Sequence, residues 1–197
     1  GLGLIGSSLA HVMRREGLAG HIAGHARSAD TRDEVVRLGF ADSIHEHPQD
    51  AVRDADLVIL CVPVGSCGAV AEAIAGDLKA GAILTDVGSV KGSVVADVSP
   101  HVPDGVHFVP GHPIAGTEQS GPASGFAELF TNRWCILTPE ADANKEAVEK
   151  LTAFWKASGS QVDVMAVDHH DMVLGITSHL PHLIAYSIVS TAADFEE

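Results

Sequence analysis

Apolar positions along the chain follow two periods. Short continuous apolar runs bounded by Gly, Pro or Asp read as buried strands, because a strand covered on both faces has no polar side to show. Leu57 to Val62, ending at Pro63, is the clearest. Ala82 to Asp86, Val106 to Val109, Trp134 to Thr138 and the short Val162 to Val164 follow it, and His21 to Ala26 reads as another strand upstream. Between these runs, apolar residues recur at helical spacing. Leu4, Ile5, Leu9, Val12 and Met13 trace a first helix. Asp30 to Leu38 is a second, with Gly39 as its C-terminal stop. Ala69 to Leu78 is a third, with Ser66 placed to cap it, and Glu146 to Ala157 is an amphipathic fourth that stops at Gly159. From Asp168 onward the pattern is helical, broken at Pro181.

Strands alternating with helices predict an α/β fold, a Rossmann-type doubly wound parallel sheet. Ligands of such sheets bind outside the carboxyl ends of the strands. That edge holds Val62, Pro63, Val64 and Gly65, and the turn from Asp86 to Lys91. The stretch from Gly111 to Gly121 packs His112, Thr117, Glu118 and Ser120 among glycines and a proline. So many breakers predict a loop, and loops that carry titratable side chains on a rigid scaffold are where catalytic groups tend to sit. The chain before it reads as a cofactor domain. The chain after it leads into a helical partner domain, so that His112 faces both.

Gly1-Leu2-Gly3-Leu4-Ile5-Gly6 fits G-x-G-x-x-G at the head of the first helix. Its glycines allow a tight turn, close approach of a pyrophosphate and tight helix packing, and the helix N-terminus offers free N–H groups to the phosphates. The strand that belongs before the motif is missing; the sequence opens at Gly1 without a Met and stops at Glu197 within a helical pattern, which we read as a fragment cut at both ends. An acid that would hold the cofactor ribose is expected about 20 residues past the fingerprint. Ala26, Arg27 and Ser28 stand there instead. Without a carboxylate to repel a 2′-phosphate, and with Arg27 and Ser28 available to bind one, the reading leans to NADP, or to no strong choice between NAD and NADP.

Composition narrows the partners. A net charge of −14 excludes nucleic acid, since nothing would neutralise a run of phosphates, yet it leaves room for one small anionic substrate in a local pocket. No C-x-x-C occurs among Cys61, Cys67 and Cys135, which points to reduced thiols in a cytoplasmic protein. No signal peptide is seen, and no apolar run of about 18 residues that would span a membrane. His45-Glu46-His47-Pro48 matches no metal-ligand spacing and reads as a polar surface turn. In the helical tail, His179 and His182 flank Pro181, and no H-E-x-x-H pair is present, so no metal is expected. His169 and His170 are read as structural or exposed, and His182 as functional.

GLGLIGSS, CVPV, TDVGSVKGSV, GHPIAGTEQSG, ILTP and HHDMVLGITSHLPH, with the spacing between them, closely resemble the prephenate/arogenate (cyclohexadienyl) dehydrogenase family over nearly the whole chain. The pairing of GHPIAGTE with SHLPH is far more specific than the glycine fingerprint. The resemblance implies an NAD(P)-dependent oxidative decarboxylation of prephenate and/or arogenate, giving 4-hydroxyphenylpyruvate and/or tyrosine, in tyrosine biosynthesis. It implies a dinucleotide-binding domain over residues 1–165, lacking its first strand, and the truncated start of an all-helical substrate and dimerisation domain over 166–197. By the same resemblance His112 is the proton acceptor from the ring hydroxyl, Ser89 holds that hydroxyl and the nicotinamide end, and Glu118 tunes substrate access. Thr117, Ser178, His179 and His182 would line the substrate pocket. Gly1, Gly3, Leu4, Ile5, Gly6, Arg27, Ser28, Val62, Pro63 and Ser89 would hold the cofactor. A homodimer through helices mostly beyond Glu197 is implied as well. The sequence departs from the family pattern in its missing first strand, in Ala26 where an acid is usual, and in the missing remainder of the helical domain with its substrate-binding Arg.

Two other readings compete. One is a Rossmann dehydrogenase of the β-hydroxyacid type, which usually places a catalytic Lys on its helical domain; here Lys156 is the last Lys, before the His-rich segment. The other is a nucleotide-sensing module, against which His112, Ser89 and Glu118 argue, because a sensor needs no proton acceptor.

Overall fold

The structure is a computed structural model and describes residues 1–193. Strands β1 (Ala23–His25) and β2 (Ser43–His45) pair in parallel. Strands β3 (Leu57–Leu60), β4 (Ile83–Asp86) and β5 (His107–Phe108) form a second parallel sheet in the order β3-β4-β5. Gly1 and Leu2 lie between the two sheets. A Cβ on Gly1 would meet the Cys61 carbonyl just past β3, and one on Gly24 of β1 would meet the Leu2 side chain.

β4 explains why its run is apolar throughout. Ile83 joins the core cluster of Leu9, Val12, Phe130, Leu137, Leu151 and Trp155, while its neighbour Leu84 joins the cluster of Leu60, Ile74, Val94 and Val98. Successive strand residues point to opposite faces, and both faces here are covered. Helices α1 (Leu4–Glu16), α2 (Ala29–Leu38), α3 (Pro48–Val52), α4 (Cys67–Ile74), α5 (Gly92–Val98) and α6 (Lys145–Ala157) supply the covering layers. Local chemistry sets their ends. Ser28 caps α2 by accepting from the Thr31 N–H, Asn144 caps α6 by accepting from Ala147, and Gly17 and Gly39 end α1 and α2 in the left-handed conformation.

The structure corrects several expectations. Gly111–Pro113 is a strand, β6, antiparallel to β7 (Trp134–Leu137), with His112 opposite Ile136. β7 in turn pairs in parallel with β8 (Gln161–Val164), so the third sheet is mixed rather than parallel. Pro113 is tolerated because β6 is an edge strand of that sheet. The polar turn shrinks to Glu46 and His47, since β2 runs to His45 and α3 starts at Pro48, a favoured first helical residue.

The helical tail is not broken at Pro181. Helix α7 (Val167–Leu174) widens into a π-helical turn over Gly175–His179 and continues as α8 (Leu180–Ala193). A proline cannot donate to the carbonyl one turn back, and the wider turn lies directly before it, so the helical run continues past Pro181. The Thr177 hydroxyl donates to the Val173 carbonyl in the same turn, at 2.8 Å. Leu183, Ile184, Tyr186, Ile188 and Val189 are all exposed on α8. Over Val167–Ala193 the mean hydropathy of an 18-residue window reaches 1.4, and only 6% of that window is buried. By length and composition this helix is apolar enough to cross a membrane, which corrects the expectation that no such segment exists.

Candidate active site

The site is built on a buried ion pair. Asp86 closes β4, Lys91 stands at the entry to α5, and both are fully buried. The Asp86 carboxylate accepts from the Lys91 ammonium and from the backbone N–H groups of Gly88 (2.7 Å) and Gly111 (3.2 Å). Lys91 Nζ also donates to the Gly111 carbonyl at 2.7 Å. Burial pushes the Asp86 carboxyl up and the Lys91 ammonium down, against their mutual attraction. The consequence is positional. The turn carrying Ser89 is fastened to the residue preceding His112.

His112 is 8% exposed and projects from β6. Its Nδ1 lies 2.9 Å from Nε2 of His170, and Nδ1 of His170 lies 2.8 Å from Oδ1 of Asp171. The two rings meet edge to face, their centroids 5.1 Å apart. Asp171 also accepts from the backbone N–H groups of Lys91 and Gly92, each at 2.8 Å. Partial burial would raise the Asp171 carboxyl, but those two N–H groups and the His170 ring hold it below the usual carboxylate range. Burial is the main cause that pushes His112 down to about 3, with the nearby Lys91 ammonium and the neighbouring imidazoles adding to it. His112 is therefore neutral at physiological pH.

The glycine turn fits a dinucleotide. A Cβ on Gly1 would stand 2.2 Å from the Cys61 carbonyl oxygen, and one on Gly6 would stand 2.1 Å from the Gly1 carbonyl oxygen. Around Gly3, by contrast, nothing lies within 4 Å of such a Cβ. Gly1 and Gly6 thus close the turn, and Gly3 opens it to solvent at the N-terminus of α1, where the cap has no side-chain partner. The N–H groups of Leu4 and Ile5 stand in the first turn that would receive a pyrophosphate. Val62 and Pro63 follow β3 at the carboxyl edge. Arg27 is exposed, while the Ser28 hydroxyl is already engaged, donating to Thr31 Oγ1 at 2.7 Å. Arg32, which the sequence reading passed over, donates to the Ala26 and Arg27 carbonyls at 3.0 and 2.8 Å.

The remaining expected residues take no part in this hydrogen-bonded cluster. Ser89, Thr117, Glu118 and His182 are exposed, and Ser178 and His179 are half-buried in the π-helical turn. The residues that sequence reasoning missed are the buried ones. His170 was grouped with His169 as structural or exposed. The structure leaves His169 exposed but buries His170 completely against His112. A usable signal was present, since His170 precedes buried Leu174 by one helical turn. Asp86 and Lys91 carried a signal too, as an acid ending an apolar strand with a lysine shortly after it.

A glycine turn at a helix N-terminus, parallel strands and a buried histidine facing a second, helical segment define a dinucleotide-binding domain joined to a helical one. Residues 9–164 match the family described as prephenate dehydrogenase, nucleotide-binding domain, and residues 166–197 match prephenate dehydrogenase, dimerization domain. The chain belongs to the prephenate dehydrogenase family. It is 43% identical over 197 residues to the cyclohexadienyl dehydrogenase of Zymomonas mobilis, covering 100% of this chain and 67% of that one. To the prephenate dehydrogenase of Bacillus subtilis it is 34% identical, over 96% of this chain and 51% of the relative. Among solved structures, the Aquifex aeolicus prephenate dehydrogenase in complex with hydroxyphenyl propionate and NAD+ superposes with a TM-score of 0.89 at 34% identity, covering 97% of this chain and 66% of that one. The chain thus spans between half and two thirds of the length of these relatives.

Proposed function

We propose that this chain carries the cofactor domain and proton acceptor of an NAD(P)-dependent dehydrogenase that oxidatively decarboxylates prephenate, arogenate or both, in tyrosine biosynthesis. The observation that carries the reading is His112, a neutral imidazole buried where the cofactor domain meets the helical tail. A bound nicotinamide supplies the hydride acceptor. His112 Nε2, the nitrogen not engaged by His170, takes the proton of the ring hydroxyl as hydride leaves the same carbon. Carbon dioxide then departs from the opposite ring carbon, its bonding pair completes the aromatic ring, and His112 returns the proton to the phenolate oxygen. Atoms and charge balance with no net proton released.

The other residues bind and orient. Gly1, Gly3, Leu4, Ile5 and Gly6 receive the pyrophosphate, with Val62 and Pro63 flanking the cofactor. Ser89, fixed by the Asp86–Lys91 pair, orients the hydroxyl beside the nicotinamide. Thr117, Glu118, Ser178, His179 and His182 surround the substrate, and aligning donor with acceptor is the main task of the scaffold. Arg27 is free to meet a 2′-phosphate, so Arg27→Ala should lower the preference for NADP over NAD; an unchanged ratio would remove Arg27 from that role. We assign the apolar face of α8 to a second copy of the chain rather than to a membrane, because it lies within the segment matching a dimerization domain. The unbridged cysteines suit a cytoplasmic setting.

The test is nicotinamide reduction by the full-length protein with prephenate and with arogenate, each against NAD and NADP. Turnover of either substrate is expected. A folded protein that binds cofactor but turns over neither would favour the nucleotide-sensing alternative.

A further inference from the structure

We infer that His170 and Asp171 are a positioning dyad that fixes which nitrogen of His112 carries its proton. The inference rests on the proposal that His112 accepts the substrate proton, and it adds how that histidine is kept ready.

With His170 neutral, donor and acceptor roles along this hydrogen-bonded chain leave one consistent arrangement. The Asp171 carboxylate can only accept, and it already accepts from the N–H groups of Lys91 and Gly92. His170 Nδ1, 2.8 Å away, must therefore carry a hydrogen and donate it. A neutral His170 then has a bare Nε2, which accepts. His112 Nδ1, 2.9 Å from it, must in turn be the protonated nitrogen. This leaves His112 Nε2 with its lone pair, which is what a proton acceptor needs. With the opposite tautomer, Nε2 would present a hydrogen to the substrate hydroxyl and could not take its proton. The logic is that of a carboxylate orienting a catalytic imidazole, extended here by a second imidazole.

The dyad also answers an energetic difficulty. An imidazole this deeply buried resists a charge. Once Nε2 takes the substrate proton, the Nδ1 hydrogen can move toward His170, so that the positive charge is shared with a ring hydrogen-bonded to Asp171. His112 comes from β6 and the dyad from α7, and Asp171 is held by backbone at the head of α5. The acceptor is thus ready only when the helical tail is docked on the cofactor domain.

The direct test reads the tautomer rather than the rate. Nitrogen-15 spectra of histidine-labelled full-length protein should show His112, assigned by its loss in His112→Asn, protonated at Nδ1 and bare at Nε2. Protonation at Nε2 instead would overturn the inference, whatever the activity. In His170→Leu, which keeps bulk but no acceptor, the Nε2-protonated form should appear, and kcat should fall by about 10²- to 10⁴-fold with KM changed only a few-fold. His170→Gln, whose side-chain carbonyl can accept from Nδ1, should recover at least about tenfold of that loss. A His170→Leu enzyme with wild-type kcat, while His112→Asn is inactive, would reject the dyad and leave the proposed function standing. Wild-type turnover by His112→Asn would reject His112 as the proton acceptor, and the dyad with it, while leaving the dehydrogenase activity itself in place. If both His170 variants fail to fold, the wild-type spectrum alone decides.

Discussion

Lys91 reaches from the turn after β4 to the carbonyl of Gly111, 2.7 Å away, while its ammonium is paired with Asp86. One buried side chain thereby sets the spacing between the Ser89 turn and the strand that carries His112. Removing a single partner of a buried pair strands the other as an unpaired charge, at a cost of about 3–5 kcal/mol. Lys91→Met should destabilise the protein by that order in denaturant titration. Replacing both residues, as Asp86→Asn with Lys91→Met, should recover much of the loss, because the stranded charge is gone. A loss under about 1 kcal/mol in Lys91→Met would show that the pair does not organise this turn.

The depressed basicity of His112 has a consequence for stability. The unfolded chain binds a proton at this histidine below about pH 6.5, whereas the folded protein does so only near the folded value of about 3. Between those values the unfolded state holds the extra proton, so stability falls as the pH falls, by about 1.4 kcal/mol per unit for this group. Other groups titrate in the same range. The quantity to measure is therefore the difference in unfolding free energy between wild type and His112→Asn, from pH 7 to pH 4. That difference should move steadily in favour of the variant as the solution is acidified, and a difference independent of pH would contradict the assignment.

The glycines of the first turn separate folding from cofactor binding. A methyl group on Gly6 would collide with the Gly1 carbonyl, which is backbone and cannot swing aside. Gly6→Ala should lower Tm markedly. Gly3 has open space where a methyl group would go, so Gly3→Ala should leave Tm within a few degrees of wild type. If that space is where a pyrophosphate approaches, the same variant should weaken NAD(P) binding by about tenfold or more, a difference of about 1.4 kcal/mol. Unchanged affinity in a folded Gly3→Ala protein would remove the glycine turn from cofactor binding.

How much of this was legible beforehand depended on the range of the forces involved. β3, β4, β7 and α6 could be read directly, because burial on both faces or along one helical stripe leaves its mark within a few residues. Gly111–Pro113 could not. Its glycine and proline argued for a loop, and it is a strand because β7 pairs with it and Asp86 and Lys91 hold Gly111 from a distance. Pro181 misled for a related reason, since the widened turn that accommodates it begins at Gly175. The family motifs located His112, but the ring that touches it is 58 residues further along the chain. No local pattern records such a contact, which is why His170 read as one more polar residue on a helix.

Substrate turnover by His112→Asn, in full-length protein shown to be folded and to bind nicotinamide cofactor, tests the central claim most directly. Asparagine fills a similar place and can hydrogen-bond the substrate hydroxyl but cannot take its proton. The account predicts that kcat for prephenate or arogenate falls by about 10²- to 10⁴-fold while cofactor affinity is kept. Full turnover by that variant would contradict it.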